Sequence, residues 1–191
     1  MRHRVVRSIV SVLGAAVLIG IGSAPAHAHA IIELNGVSAV AGRTSAMTLE
    51  VQHGCLPAEA TTEVEAFVGA PWRAVRPAAV DGWSARVERL PSGGWHIIWT
   101  NLGAPIPFGT PTFFPITVAW PNKPGTYAMR VTQQCTSGTS YDWNTPYGPA
   151  TANSPSPPLT PRPEVNVVAK AERSAPTTAS GASVHSGSHG H

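Results

Sequence analysis

Apolar side chains fall on every second position through "SAMTLEVQHG", residues 45–54, at Met47, Leu49 and Val51. The same alternation returns in "GTYAMRVTQQ", residues 125–134, at Tyr127, Met129 and Val131. A period of two is that of a strand with one face buried. Between these runs lie "TTEVEAFVG", "GGWHIIWTN" and "FFPITVAWP", short and rich in Val, Ile, Thr and aromatic residues, with Gly and Pro turn signals separating them. "RPEVNVVAK" supplies a last strand. No segment sustains a helical period, and prolines at 71, 77, 91, 105, 107, 111, 115, 121 and 124 interrupt the chain too often for helices of any length. The pattern predicts an all-β fold, an antiparallel β-sandwich of Ig-like or cupredoxin-like type, in a single domain of about 140 residues.

The ends of the chain read differently. Arg2, Arg4 and Arg7 precede the apolar run "IVSVLGAAVLIGIG", and "SAPAHAHA" closes the segment with A-x-A patterns. These are the parts of an export signal. Cuts after Ala26, Ala28 or Ala30 all satisfy the pattern; the first two expose His27 or His29, and the third removes both. Spacing from the apolar run favours Ala28, giving a signal over 1–28, a folded domain over 29–168 and a tail over 169–191. The tail is small, polar and almost without large apolar residues, a composition that predicts disorder. It carries His185, His189 and His191, which are candidate weak metal ligands. With no further apolar segment, the processed protein is expected in the cell envelope, the periplasm or the medium.

Processing changes the charge. Of 13 Lys+Arg, three leave with the signal, so 10 remain against 10 Asp+Glu. No basic patch is left to hold phosphates, which argues against nucleic acid as a partner. Cys55 and Cys135 are the only cysteines. In an oxidising compartment an even pair is most simply a disulfide, whose long loop stabilises the fold by roughly 4 kcal/mol. A soft-metal site is the alternative, because His53 neighbours Cys55 in "QHGC".

Several motifs in this order resemble the YcnI-like copper-binding domain of exported bacterial proteins. The opening "HAIIELNGVSAVAGRTSAMTLEVQHGC" resembles that family's first residues, Ala-Gly turn and long strand. "TTEVEAFV", "DGWSARVE", "GWHIIWT" and "WPNKPGTYAMRVTQQCTSGTSYDW" follow in register with its later motifs. The likeness spans residues 29–168. It implies a single Cu(II) at the processed N-terminus, a histidine brace built from one residue. His29 would give its α-amine and a ring nitrogen, Glu65 a carboxylate, and Trp143 would lie against the metal. The sequence departs from the family pattern twice: the opening is longer before Ala41-Gly42, and "DGW" stands for "PGW". The stretch around "HGCLPAEA" makes Glu63 or Glu59 a substitute for Glu65.

The chemistry also stands on its own terms. Amine and Nδ1 of a terminal histidine close a six-membered chelate with little freedom left to lose. A terminal amine titrates near about 7.7–8, so giving up its proton to a metal is modest work at neutral pH. Nitrogen and oxygen donors suit tetragonal Cu(II), and the Irving–Williams order favours copper. An internal His29 would offer only an amide nitrogen, so the cut itself would create the site.

From pattern alone Glu65 reads as an outer-face acid, with Val64 and Ala66 pointing the other way; the resemblance makes it a ligand. Trp143 sits in a Gly/Ser/Asp-rich stretch, where an aromatic reads as a surface plug or a minor core lid. His96 alternates with Trp95, Ile97 and Trp99 and reads as a surface strand histidine. Either His96 or His53 near His29 would make a two-histidine brace, the signature of an oxidative copper enzyme acting on polysaccharide. No nucleophile triad, zinc spacing or phosphate loop is present. The expected function is a copper carrier or chaperone, not an enzyme, whose partner is a membrane copper transporter. The rivals are the copper oxygenase and a metal-free envelope or adhesion module.

Overall fold

The computed structural model describes residues 29–52, 55, 59–151 and 158–171. Ten strands fill most of that length, and no helix occurs among the described residues. They are β1 (Ala30–Glu33), β2 (Thr44–Val51), β3 (Thr61–Val68), β4 (Ala74–Pro77), β5 (Trp83–Arg89), β6 (Trp95–Asn101), β7 (Thr112–Ala119), β8 (Gly125–Cys135), β9 (Ser140–Trp143) and β10 (Glu164–Val167). One sheet has the order β1-β2-β7-β4; the other runs β10-β8-β3-β6-β5, with β9 paired to β8. Every named strand pair is antiparallel. This is the expected sandwich.

Alternation along the strands builds the core between the sheets. Met47, Leu49 and Val51 of β2 meet Phe114, Ile116 and Val118 of β7 on one side. Val64, Ala66 and Val68 of β3, Ile97 and Trp99 of β6, and Met129 and Val131 of β8 face them from the other. Aromatic contacts knit the layers: Trp99 lies 4.9 Å and Trp83 5.1 Å from Phe114, centroid to centroid. The β5–β6 hairpin turns through Gly94, where a Cβ would collide with the Val68 carbonyl oxygen, so only glycine fits that approach.

Four strands went unread in the sequence. β1, β4 and β9 are four residues each, too short to show a period. β5 is an edge strand with an exposed charged face, so its apolar signal is thin. The sequence reading placed Trp143 in a loop; instead β9 pairs with β8 and sets Trp143 opposite Val131, 1% exposed in the central core.

Cys55 and Cys135 form the expected disulfide, with a sequence separation of 80. It ties the β2–β3 connection to the last residue of β8 and closes one end of the sandwich.

Candidate metal centre

That closed end is also where residue 29 lies. β1 starts with Ala30, 2% exposed and paired with Val51 at the end of β2. His29 stands one residue ahead, half-buried, and its carbonyl accepts a hydrogen bond from the Gln52 amide at 3.1 Å. The start of the sandwich is thereby fixed to the strand that leads into "HGC". Thr61 opens β3 at the same end and exchanges both backbone hydrogen bonds with Ile106, at 2.9 and 3.0 Å.

Glu65 does not lie there. At about 3.3 Å per residue it sits roughly 13 Å along β3 from Thr61. It pairs with Thr132, whereas Trp143 pairs with Val131, so the two side chains leave opposite faces of the six-stranded sheet. Both carboxylate oxygens of Glu65 are engaged: Oε2 is 2.7 Å from Nε2 of His96, and Oε1 accepts from the Gln134 amide at 2.9 Å. The expected acid and the expected aromatic are therefore not brought together. The cause is the strict alternation of β3, which sends Val64 and Ala66 into the core and Glu65 away from it.

Of the two substitute acids, Glu63 shares the outer face and accepts from the Thr100 hydroxyl at 2.7 Å. Glu59 lies beside the disulfide end, where its Oε2 accepts from Ser137 at 2.8 Å and from Thr139 at 3.0 Å. Of the three acids singled out in the sequence, Glu59 is the one at the disulfide end, the end at which β1 begins. Among the described residues no group of three or more His, Cys, Asp or Glu side chains converges as a metal cluster. His53 and the tail histidines His185, His189 and His191 lie outside the described residues.

His96 is on the outer face, as expected, yet its side chain is only 14% exposed. It stacks on Phe67 at 4.1 Å and bridges toward Glu65 and Glu88. It therefore does not serve as a second histidine beside His29.

Trp143 donates its indole N–H to Oε1 of Gln133 at 2.7 Å, and Nε2 of Gln133 donates to Oγ1 of Thr61 at 2.9 Å. Thr61 and Gln133 are both 0% exposed. The sequence reading missed this pair. Its one signal was the alternation of β8, which puts Gln133 on the same face as Val131 and Met129.

Comparison with known proteins follows the same lines. None of the curated proteins matches the chain. An uncharacterised protein from Nocardia farcinica with an immunoglobulin-like fold is 24% identical, covering 73% of this chain and 97% of that one, with a TM-score of 0.59. A cohesin module from a Clostridium perfringens family 33 glycoside hydrolase is 12% identical, covering 76% and 98%, with a TM-score of 0.51. At these identities the likeness is one of fold. A family model described as a domain of unknown function, DUF1775, which is the YcnI-like domain, matches residues 29–167. The chain belongs to that family.

Proposed function

We propose that the processed protein is an extracytoplasmic copper carrier that holds one Cu(II) as cargo through the amine and imidazole of His29 and passes it to a membrane copper transporter. The observation that carries this reading is the position of His29 one residue ahead of a core strand. A cut after Ala30 would remove a buried residue paired with Val51, whereas a cut after Ala28 leaves β1 whole. It also leaves a terminal histidine whose carbonyl is pinned by Gln52, so the chelating residue is held at a fixed point of the backbone. Pre-fixing a chelate in this way lowers the entropy lost on binding. The Cys55–Cys135 bond suits an oxidising compartment. The motif resemblance contributes the identity of the metal, and nitrogen donors fit it.

In this reading Glu59, not Glu65, is the carboxylate that completes the site, because it shares the end of the sandwich with the terminus. Trp143 is not a ligand in this reading, since it is buried in the core with its indole N–H engaged by Gln133.

The test is the exported protein itself. Mass spectrometry should give a start at His29, and that species should take up one Cu(II) with a tetragonal EPR spectrum. Placing one glycine ahead of His29 should weaken binding at least 100-fold while the melting temperature holds. Equal affinity with and without the extra residue would end the proposal.

A further inference from the structure

A strand at the end of a sheet presents a row of unpaired main-chain N–H and C=O groups, and proteins blunt such edges with charge, proline or a covering segment. Among the described residues, every edge of this sandwich but one is treated in that way. β4 carries Arg76 and Pro77, β5 carries Arg86, Glu88 and Arg89, and β9 carries Asp142, ion-paired to Arg130. The outer edge of β10 is covered at both ends: Thr145 donates to Thr160 and accepts from Arg162, and Val168 donates to Ala39 and accepts from Ala41. β1 ends the four-stranded sheet with Ala-Ile-Ile-Glu, in unbroken register on β2, and has no proline, bulge or charge before Glu33.

Parity along β1 shows which of its main-chain groups are open. The Gln52 amide donates to the His29 carbonyl, and the two residues stand opposite each other. Bonded positions alternate in an antiparallel pair, so Ile31 and Glu33 also bond β2. The N–H and C=O groups of Ala30 and Ile32 therefore point away from β2, and no segment of the described residues pairs with them. Beside them runs a groove of about 390 Å³. All four residues of β1 line it, inward and outward side chains alike, as happens where a strand is met edge-on. The opposite wall includes Tyr147, Arg162 and Glu164. Nη2 of Arg162 donates to Oε1 of Glu164 at 3.0 Å, while its buried Nε has no partner among the described residues. Tyr147 is 56% exposed and leaves a large aromatic surface at the same groove.

We infer that this groove binds an extended segment of a partner polypeptide as an added strand on β1. No metal takes part, and the reading of His29 can fail without affecting this site. The four open main-chain groups of Ala30 and Ile32 are matched by another backbone, which is what β-strand addition supplies. A carbonyl of the same segment gives the Arg162 Nε–H its acceptor, and one side chain packs on Tyr147. Charge narrows the partner further. Glu33 and Glu164 outnumber Arg162 along the groove, so the segment is free of acids and carries Lys or Arg.

The probe is the capped peptide Val-Lys-Val-Lys-Val, titrated into the processed protein after metal removal and read by amide chemical shifts and hydrogen exchange. It should bind with a Kd below about 1 mM and protect the Ala30 and Ile32 amides. The same peptide N-methylated along its bonding edge should bind about 10-fold more weakly or worse, and so should capped Val-Glu-Val-Glu-Val. Ile32→Pro removes an N–H that points away from β2, so the sheet keeps its bonds while peptide affinity falls about 10-fold. Arg162→Leu should weaken binding about fivefold. Equal affinity for the N-methylated and unmodified peptides would overturn the inference, and that comparison decides it if Ile32→Pro does not fold. Failure of Val-Lys-Val-Lys-Val to bind at about 5 mM, or shifts confined to β4 or β5, would overturn it too. So would a dimer, seen by sedimentation, that Ile32→Pro abolishes and the peptide does not displace; the edge would then belong to a second copy of this chain.

Discussion

Strand β3 serves two polar assemblies of opposite character. Along its outward face, Glu63 and Glu65 take bonds from Thr100, His96 and Gln134, while Phe67 carries His96 on one side and the Arg130 guanidinium on the other. These groups are half-buried, with water at hand to replace any partner lost. At its first residue the same strand bulges and sends Thr61 inward to Gln133 and Trp143, all three buried from water. The outer assembly is broad and forgiving. The inner one is narrow, and the low dielectric of the core makes each of its bonds decisive. The lesson concerns where a functional site can be anchored. Carboxylates alone would point to the outer face, yet the disulfide, the bulge and residue 29 all gather at the end of the sandwich.

The largest effect that separates the two regions should come from the disulfide. Replacing Cys55 and Cys135 with Ser frees a loop of sequence separation 80 and should cost about 4 kcal/mol, or roughly 10–15 °C in melting midpoint by circular dichroism. A shift of less than about 2 °C would mean that the closed end is held by the strands alone. Next in size is a contrast between two acids. Glu59→Gln should weaken Cu(II) binding by the processed protein about 10-fold, a loss near 1.4 kcal/mol. Glu65→Gln should leave that affinity within about threefold. The reverse ranking, read by the same competition titration, would move the site to the outer face.

Much of this was legible in the chain and some was not, for physical reasons. Long alternating strands such as β2, β7 and β8 announce themselves because each buries a full face. The pairing of Cys55 with Cys135 was readable from an even count together with the expected export of the chain. The outer position of Glu65 was also readable, since Val64 and Ala66 on either side demand the core; the family resemblance overrode that pattern. What could not be read is the bulge at Thr61, because a one-residue slip leaves no trace in hydrophobic periodicity. The burial of Trp143 was hidden for a related reason. A four-residue strand among Gly, Ser and Asp gives no period, and only pairing with β8 turns Trp143 into the core.

The smallest predicted effect bears on the outer face by itself. His96→Ala removes the 2.7 Å bridge to Glu65 and the stack on Phe67. A hydrogen bond of this kind contributes about 1 kcal/mol net, and the ring contact a similar amount. Glu65 keeps Gln134 as a donor and gains water, so the two terms do not add in full. A loss near 1 kcal/mol, or about 3 °C in melting midpoint, is expected. Copper affinity of the processed protein should not move, because the bridge lies on the outer face of the sheet, roughly four residues from the disulfide end of β3. A variant that melts like the wild type but binds copper several-fold more weakly would break the comparison. It would mean that the outer network couples through β3 to the terminus, and that the strand transmits strain along its length instead of isolating its two ends.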